Sequence, residues 1–105
     1  MKINTEAINI YSAKAEKNIC IYYDADWDGK SFYGCKGAFY VDLEINCIEC
    51  ETYAFHICED TTFMEQFVEF VAKLTEFFNH KECKKIIKHL MGDLYASSLN
   101  KIKVG

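Results

Sequence analysis

The chain has 105 residues, of which 50% are hydrophobic and 15% aromatic, enough for one cored domain and too apolar for a disordered segment. Its formal net charge is −4, and all 12 basic residues are lysine, because the sequence contains no arginine and no proline. Acidity without arginine speaks against a mainly nucleic-acid-binding role, since arginine is the favoured side chain for bidentate phosphate and base-edge contacts.

The charge is also uneven. Residues 1–60 carry five Lys against 11 acids and residues 61–105 carry seven Lys against five acids, so the halves balance at −6 and +2. Such asymmetry steers a charged partner to one side of a molecule but does not select a fold. With no run of about eighteen apolar residues and no apolar stretch near the start, the sequence predicts neither a membrane-spanning helix nor a signal peptide. A soluble cytoplasmic protein is the expectation, and the six cysteines, Cys20, Cys35, Cys47, Cys50, Cys58 and Cys83, then read as reduced, mostly buried thiols.

Within Ile3 to Ala15, Ile8 and Ile10 alternate with Asn9 and Tyr11, which predicts a strand near residues 6–12, although Thr5, Glu6 and the alanines also permit a short helix. Ser12 to Asn18 reads as a turn. Asn18 to Asp24 is strand-like, with Ile19, Ile21 and Tyr23 on one face and Cys20 and Tyr22 on the other. The run Asp24-Ala25-Asp26-Trp27-Asp28-Gly29-Lys30 is the clearest loop, since Asp-Gly between strand-like segments signals a tight turn.

From Ser31 to Ile45, Cys35, Gly37, Phe39, Val41, Leu43 and Ile45 alternate with Lys36, Ala38, Tyr40, Asp42 and Glu44, so one face should be buried and the other wet. Gly34 and Gly37 suggest a bulge or a close backbone approach. Cys50 to Cys58 repeats the alternation, with Tyr53, Phe55 and Ile57 opposed to Thr52, Ala54 and His56. These segments together predict an antiparallel meander of three or four strands.

The stretch from Thr61 to Phe78 is the strongest periodic signal in the chain. At about 100° per residue, Phe63, Phe67, Phe70, Val71, Leu74, Phe77 and Phe78 form a broad apolar arc, with Met64 and Val68 at its margin. Thr62 and Glu65 have the form of a capping box, and Glu69 stands four residues before Lys73 as an ion-pair candidate. Asn79 and Glu82 repeat the capping signature and predict a second helix from His80 to Met91, stopped by Gly92. In it Cys83, Ile86, Ile87, Leu90 and Met91 share one face, opposite Lys81, Lys84, Lys85 and Lys88. Residues 93–105 read as a short helix or tail. The expected fold is a single α+β domain over 1–105, with strands in 1–60 and two helices in 61–92. The sheet packs on the Phe-rich helix, and any uncovered remainder of its arc would favour a homodimer.

Four constellations have chemical content. The run from Asp24 to Gly29 matches the first six positions of an EF-hand calcium loop, which nominates Asp24, Asp26 and Asp28 as calcium ligands. Ser31 and Cys35 depart from that pattern, the flanks are strand-like, and a solvated acidic hairpin is the plainer reading. Cys47-x-x-Cys50 and His80-x-x-Cys83 have metal-knuckle spacing and nominate a Cys₃His zinc set, with His56 and Cys58 as competitors and buried thiols as the plainer reading. Cys83 near a helix N-terminus, with His80 one turn back, is a candidate low-pKa nucleophile for a small thiol enzyme. No phosphate loop, G-x-S-x-G or H-E-x-x-H motif accompanies it. The four-lysine helix face reads first as solvated surface.

The reading that accounts for most of these features is a small acidic, non-enzymatic protein-binding module of inhibitor or adaptor type. Its partner surface would comprise Asp24, Asp26, Trp27, Asp28, Asp42, Glu44, Glu49 and Glu51, and would dock on a basic site of another protein. No metal or other cofactor is favoured, with zinc or calcium as alternatives, and neither nucleic acid nor membrane is expected as a partner. In compactness, acidity and lack of catalytic motifs the chain is similar in general character to small inhibitors carried by phages and mobile elements, such as anti-CRISPR proteins. It shares no motif with them.

Overall fold

The structure is a computed structural model and describes residues 3–24, 37–45, 49–57 and 63–98, with only the backbone described at positions 44, 45, 49, 50 and 98. Four antiparallel strands lie in the order β1 (Ile8–Ser12), β2 (Lys17–Asp24), β3 (Gly37–Ile45) and β4 (Glu49–Ile57). Three helices follow: α1 (Phe63–Phe77), α2 (His80–Met91) and α3 (Asp93–Ser98). The expected α+β meander packed on a Phe-rich helix is the observed architecture, with four strands. No helix among the described residues is long and apolar enough to cross a membrane.

The two-residue period of a strand places Ile19, Ile21, Tyr23, Phe39, Val41 and Leu43 on one sheet face, where they join Phe67, Phe70, Val71, Leu74, Cys83, Ile86, Ile87 and Leu90 in one buried cluster. Phe39 is its hub. It stacks on Phe70 with centroids 4.5 Å apart and meets Tyr23, Phe63 and Phe67 at 4.9, 6.1 and 6.4 Å. The aromatic-rich arc of α1 therefore has two surfaces to cover, the sheet on one side and, through the edge-on contacts of Tyr95 with Phe63 and Phe67, α3 on the other. Phe70, within the arc, is fully buried and faces Phe39 and Phe55.

Local sequence explains the element ends. Asn79 caps α2 reciprocally: its Oδ1 accepts from the Glu82 backbone N–H at 2.8 Å, and Glu82 Oε1 accepts from the Asn79 N–H at 3.0 Å. Gly92 ends that helix with φ at +93°, a conformation open to glycine and strained for other residues, and donates its N–H to the Lys88 carbonyl at 3.0 Å. The N-terminal segment satisfies two more carbonyls at the same end, Asn4 N–H on Leu90 at 2.8 Å and Asn4 Nδ2 on His89 at 3.2 Å. The capping box predicted at Thr62 lies outside the described residues.

Two local expectations change. Lys73 pairs with Glu76 at 2.8 Å and sits 4.3 Å above the Tyr53 ring, while Glu69 accepts from Gln66 at 3.3 Å. The aromatic face of β4 draws the ammonium away from its i−4 acid. At Gly37 the strand pairing is continuous, Gly37 facing Ile57, so there is no bulge there. Its role is close approach: a Cβ at this position would overlap the Tyr23 hydroxyl and stand 3.0 Å from the Asp24 carbonyl oxygen. Gly34 lies outside the described residues.

Candidate functional site

Helices α1 and α2 pack against the face that carries Phe39, α3 packs on α1 and α2, and no described helix covers the opposite face. That face presents Asn9 and Tyr11 from β1, Cys20, Tyr22 and Asp24 from β2, Tyr40 and Asp42 from β3, and Thr52, Ala54 and His56 from β4. Its β1 and β4 positions are exposed, while Cys20, Tyr22, Asp24, Tyr40 and Asp42 in the middle are half-buried.

The register organises the face into rows. Asn9, Cys20, Asp42 and Thr52 form one; Tyr22, Tyr40 and Ala54 form the next; Asp24, Ala38 and His56 form the third. A tyrosine row is thus flanked by a carboxylate row on each side, with about 7 Å between rows from the rise of two strand residues. The Tyr22 and Tyr40 rings stack with centroids 4.9 Å apart and 15° between their planes, and His56 meets Tyr40 edge-on at 6.2 Å.

The Tyr22 hydroxyl donates to the Asp42 carboxylate, and the Tyr22 pKa is raised to about 12, first by burial and then by the Asp42 charge and this hydrogen bond. Asp42 Oδ1 is nevertheless buried without a hydrogen-bond partner, the one such side-chain oxygen or nitrogen among the described residues.

The nominated acids divide. Asp24 and Asp42 belong to the helix-free face. Glu51 is exposed on the other one, because β3 pairs Asp42 with Thr52 and Leu43 with Glu51, and the Tyr53 hydroxyl donates to the Glu51 carboxylate. Asp26, Trp27 and Asp28 lie outside the described residues, and with them the calcium alternative. For Glu44 and Glu49 the backbone alone is described, pairing with Cys50 and Ile45 respectively.

The zinc alternative is described at two positions. Cys47 lies outside the described residues and Cys50 is described by its backbone. His80 is exposed, whereas Cys83 is 2% exposed and points its Sγ at the Phe78 carbonyl, 3.8 Å away. Among the described residues no group of three or more His, Cys, Asp or Glu side chains could hold a metal ion. The low thiol pKa expected at the start of α2 is corrected: burial, followed by the neighbouring Glu82 charge, pushes Cys83 up to about 11. A helix terminus lowers a thiol pKa only where the thiolate is hydrated or paired, and this side chain faces the core. Lys81, Lys84, Lys85 and Lys88 are all exposed, and Lys88 pairs with Asp93 at 3.4 Å.

Set against protein-family models, curated proteins and solved structures, the chain has no match. What the helix-free face can do therefore follows from its own groups. Stacked phenol rings offer flat, preorganised contact area, and the adjacent carboxylates favour positive charge. Sequence reasoning assigned Tyr22, Tyr40 and His56 to the right strand faces but did not nominate them, because what joins them is cross-strand register, which alternation within one strand does not encode.

Proposed function

We propose that this chain is a small, non-enzymatic protein-binding module of inhibitor or adaptor type, which docks the helix-free face of its sheet on a basic site of a partner protein. The observation that carries this reading is the Tyr22–Tyr40 stack with Asp24 and Asp42 in the rows on either side. Tyrosine is enriched where protein interfaces form, since it combines large contact area with few rotatable bonds and a polar tip. Carboxylates around it favour a basic partner and penalise an acidic one, which supplies selectivity and speeds encounter. The exposed lysines of α2 stand away from this face on a helix packed against the other side of the sheet, so the docking surface is not neutralised from within. Inhibition or bridging then follows from occupancy alone.

The test is recovery of a partner by the immobilised chain with Asp24→Lys and Asp42→Lys, singly and together, against Glu51→Lys on the opposite face. Loss of recovery in the first set with retention in the last supports the reading. Unchanged recovery in the double variant removes it.

A further inference from the structure

Residues 3–12 form an arm with a docking site of its own. β1 lies at one edge of the sheet and, among the described strands, pairs with β2 alone, from Ile8 facing Ile21 to Ser12 facing Lys17. Ahead of the strand, Asn4 donates its backbone N–H to the Leu90 carbonyl at 2.8 Å and its Nδ2 to the His89 carbonyl at 3.2 Å. His89 Nε2 in turn donates to the Glu6 carbonyl at 2.7 Å, since a carbonyl oxygen only accepts. At the far end the Ser12 hydroxyl donates to the Phe77 carbonyl. The arm is thus addressed by polar groups at both ends, yet Ile3, Ile8 and Ile10 are only partly buried, whereas Ile19 and Ile21 of β2 are fully so. Its release removes no fully buried apolar side chain, which makes it a local opening of the fold and not a global one.

The turn that folds the arm back carries backbone strain. Residues 13–16 join β1 to β2, and Glu16 has φ at +56°, the one non-glycine residue of positive φ among those described. That left-handed conformation suits glycine, and a residue with a Cβ holds it at a cost. We propose that the arm exchanges between two copies of this chain, the turn opening into a hinge and residues 3–12 of each copy docking on β2, α1 and α2 of the other. The slot is defined by the β2 register and by the Leu90, His89 and Phe77 carbonyls, so the occupant that reproduces every contact is the same arm from a second copy. Exchange gives up the contacts of the turn itself, Ala15 N–H on Ser12 Oγ at 3.1 Å and Lys14 Nζ on the Thr75 carbonyl at 3.5 Å. In return it releases Glu16 in both copies, and a short hinge under strain is what favours such exchange. The inference is independent of what the helix-free face binds, but it alters that face. Each sheet then takes its Asn9 and Tyr11 from the other copy, and the dimer carries two such faces.

The test uses the unaltered full chain. Equal amounts of isotope-labelled and unlabelled chain are unfolded together in urea, refolded at about 0.5 mM so that mass action favours association, and separated by size with the mass read by light scattering. Expected is a dimer fraction in which isotope-filtered NOEs connect β1 of one copy to β2 of the other, Ile10 with Ile19 and Tyr11 with Asn18. Glu16→Gly, which relieves the closed turn, should lower the dimerisation constant about tenfold or more. A Gly-Asn-Gly insertion after Ala15, which lengthens the turn, should leave monomer alone, while Lys84→Gln, on the exposed face of α2, should change nothing. Absence of a dimer from the unaltered chain, a dimer whose β1–β2 NOEs all lie within one copy, or a dimer that Glu16→Gly leaves undiminished would overturn the exchange. The isotope experiment decides the matter even where a variant fails to fold.

Discussion

Phe39 of β3 and Phe70 of α1 stack face to face, with centroids 4.5 Å apart and 14° between their planes, and both are fully buried. This contact joins the centre of the sheet to the middle of the long helix. Truncating either ring removes its transfer free energy and leaves a cavity that the surrounding rings cannot close. Phe39→Ala should therefore destabilise by about 3–5 kcal/mol, whereas Met64→Ala, at a position 52% exposed, should stay within about 0.5 kcal/mol. Urea midpoints at equal m-value would show the contrast.

Ser12 is the one buried polar residue described, and its hydroxyl has two tasks. It donates to the Phe77 carbonyl at the end of α1, and it accepts from the Ala15 N–H at 3.1 Å in the β1–β2 turn. Because α1 ends without a glycine cap, that carbonyl depends on a donor from the sheet. Ser12→Ala leaves both groups without this partner and should cost about 1–3 kcal/mol, with faster hydrogen exchange at the Ala15 amide. Unchanged exchange there would show the hydroxyl to be dispensable.

Gly37 faces the Tyr23 hydroxyl too closely for a side chain, and the Asp24 carbonyl oxygen lies 3.0 Å from where a Cβ would stand. The phenol end can yield but the backbone cannot readily do so. Gly37→Ala should destabilise by about 1–3 kcal/mol. Tyr23→Phe, which withdraws the nearest atom, should recover part of that loss, and additivity of the two substitutions in thermal melts would contradict the proposed contact.

Alkaline stability should fall in two overlapping windows. Tyr22 rises from 10.0 to about 12 and Cys83 from 9.0 to about 11 in the folded chain, each first through burial. A folded pKa above the unfolded value means that the native state holds the proton more tightly. The associated stability is complete below the unfolded pKa and is lost as pH climbs through the folded one. Urea midpoints should therefore decline from about pH 9 to 12, with Cys83→Ala flattening the early part and Tyr22→Phe the late part. A profile unchanged by both substitutions would contradict these assignments.

Most of the fold was legible because the alternation in Asn18 to Asp24, Ser31 to Ile45 and Cys50 to Cys58 and the arc of Thr61 to Phe78 report burial directly, and burial is what sheets and helices divide between them. The Asn79–Glu82 cap was legible for a related reason: it is local. The candidate site was less so. Acidic residues were grouped by their closeness in sequence, yet Asp42 and Glu51 belong to opposite faces because their strands pair Asp42 with Thr52. Cys83 was read from its place at a helix start, whereas its chemistry is set by the core it points into. Both differences come from tertiary register, which sequence spacing does not carry.

The measurement that bears most directly on the account is partner recovery by the Asp24→Lys, Asp42→Lys double variant, with Glu51→Lys, which makes one such charge reversal on the other face, as the control for each single variant. Circular dichroism would first establish that all the variants are folded. The account predicts that the double variant loses the partner captured by the unaltered chain while Glu51→Lys retains it, with recovery by the unaltered chain falling as salt rises. Full recovery by the double variant, or equal loss in both, would contradict docking through the helix-free face.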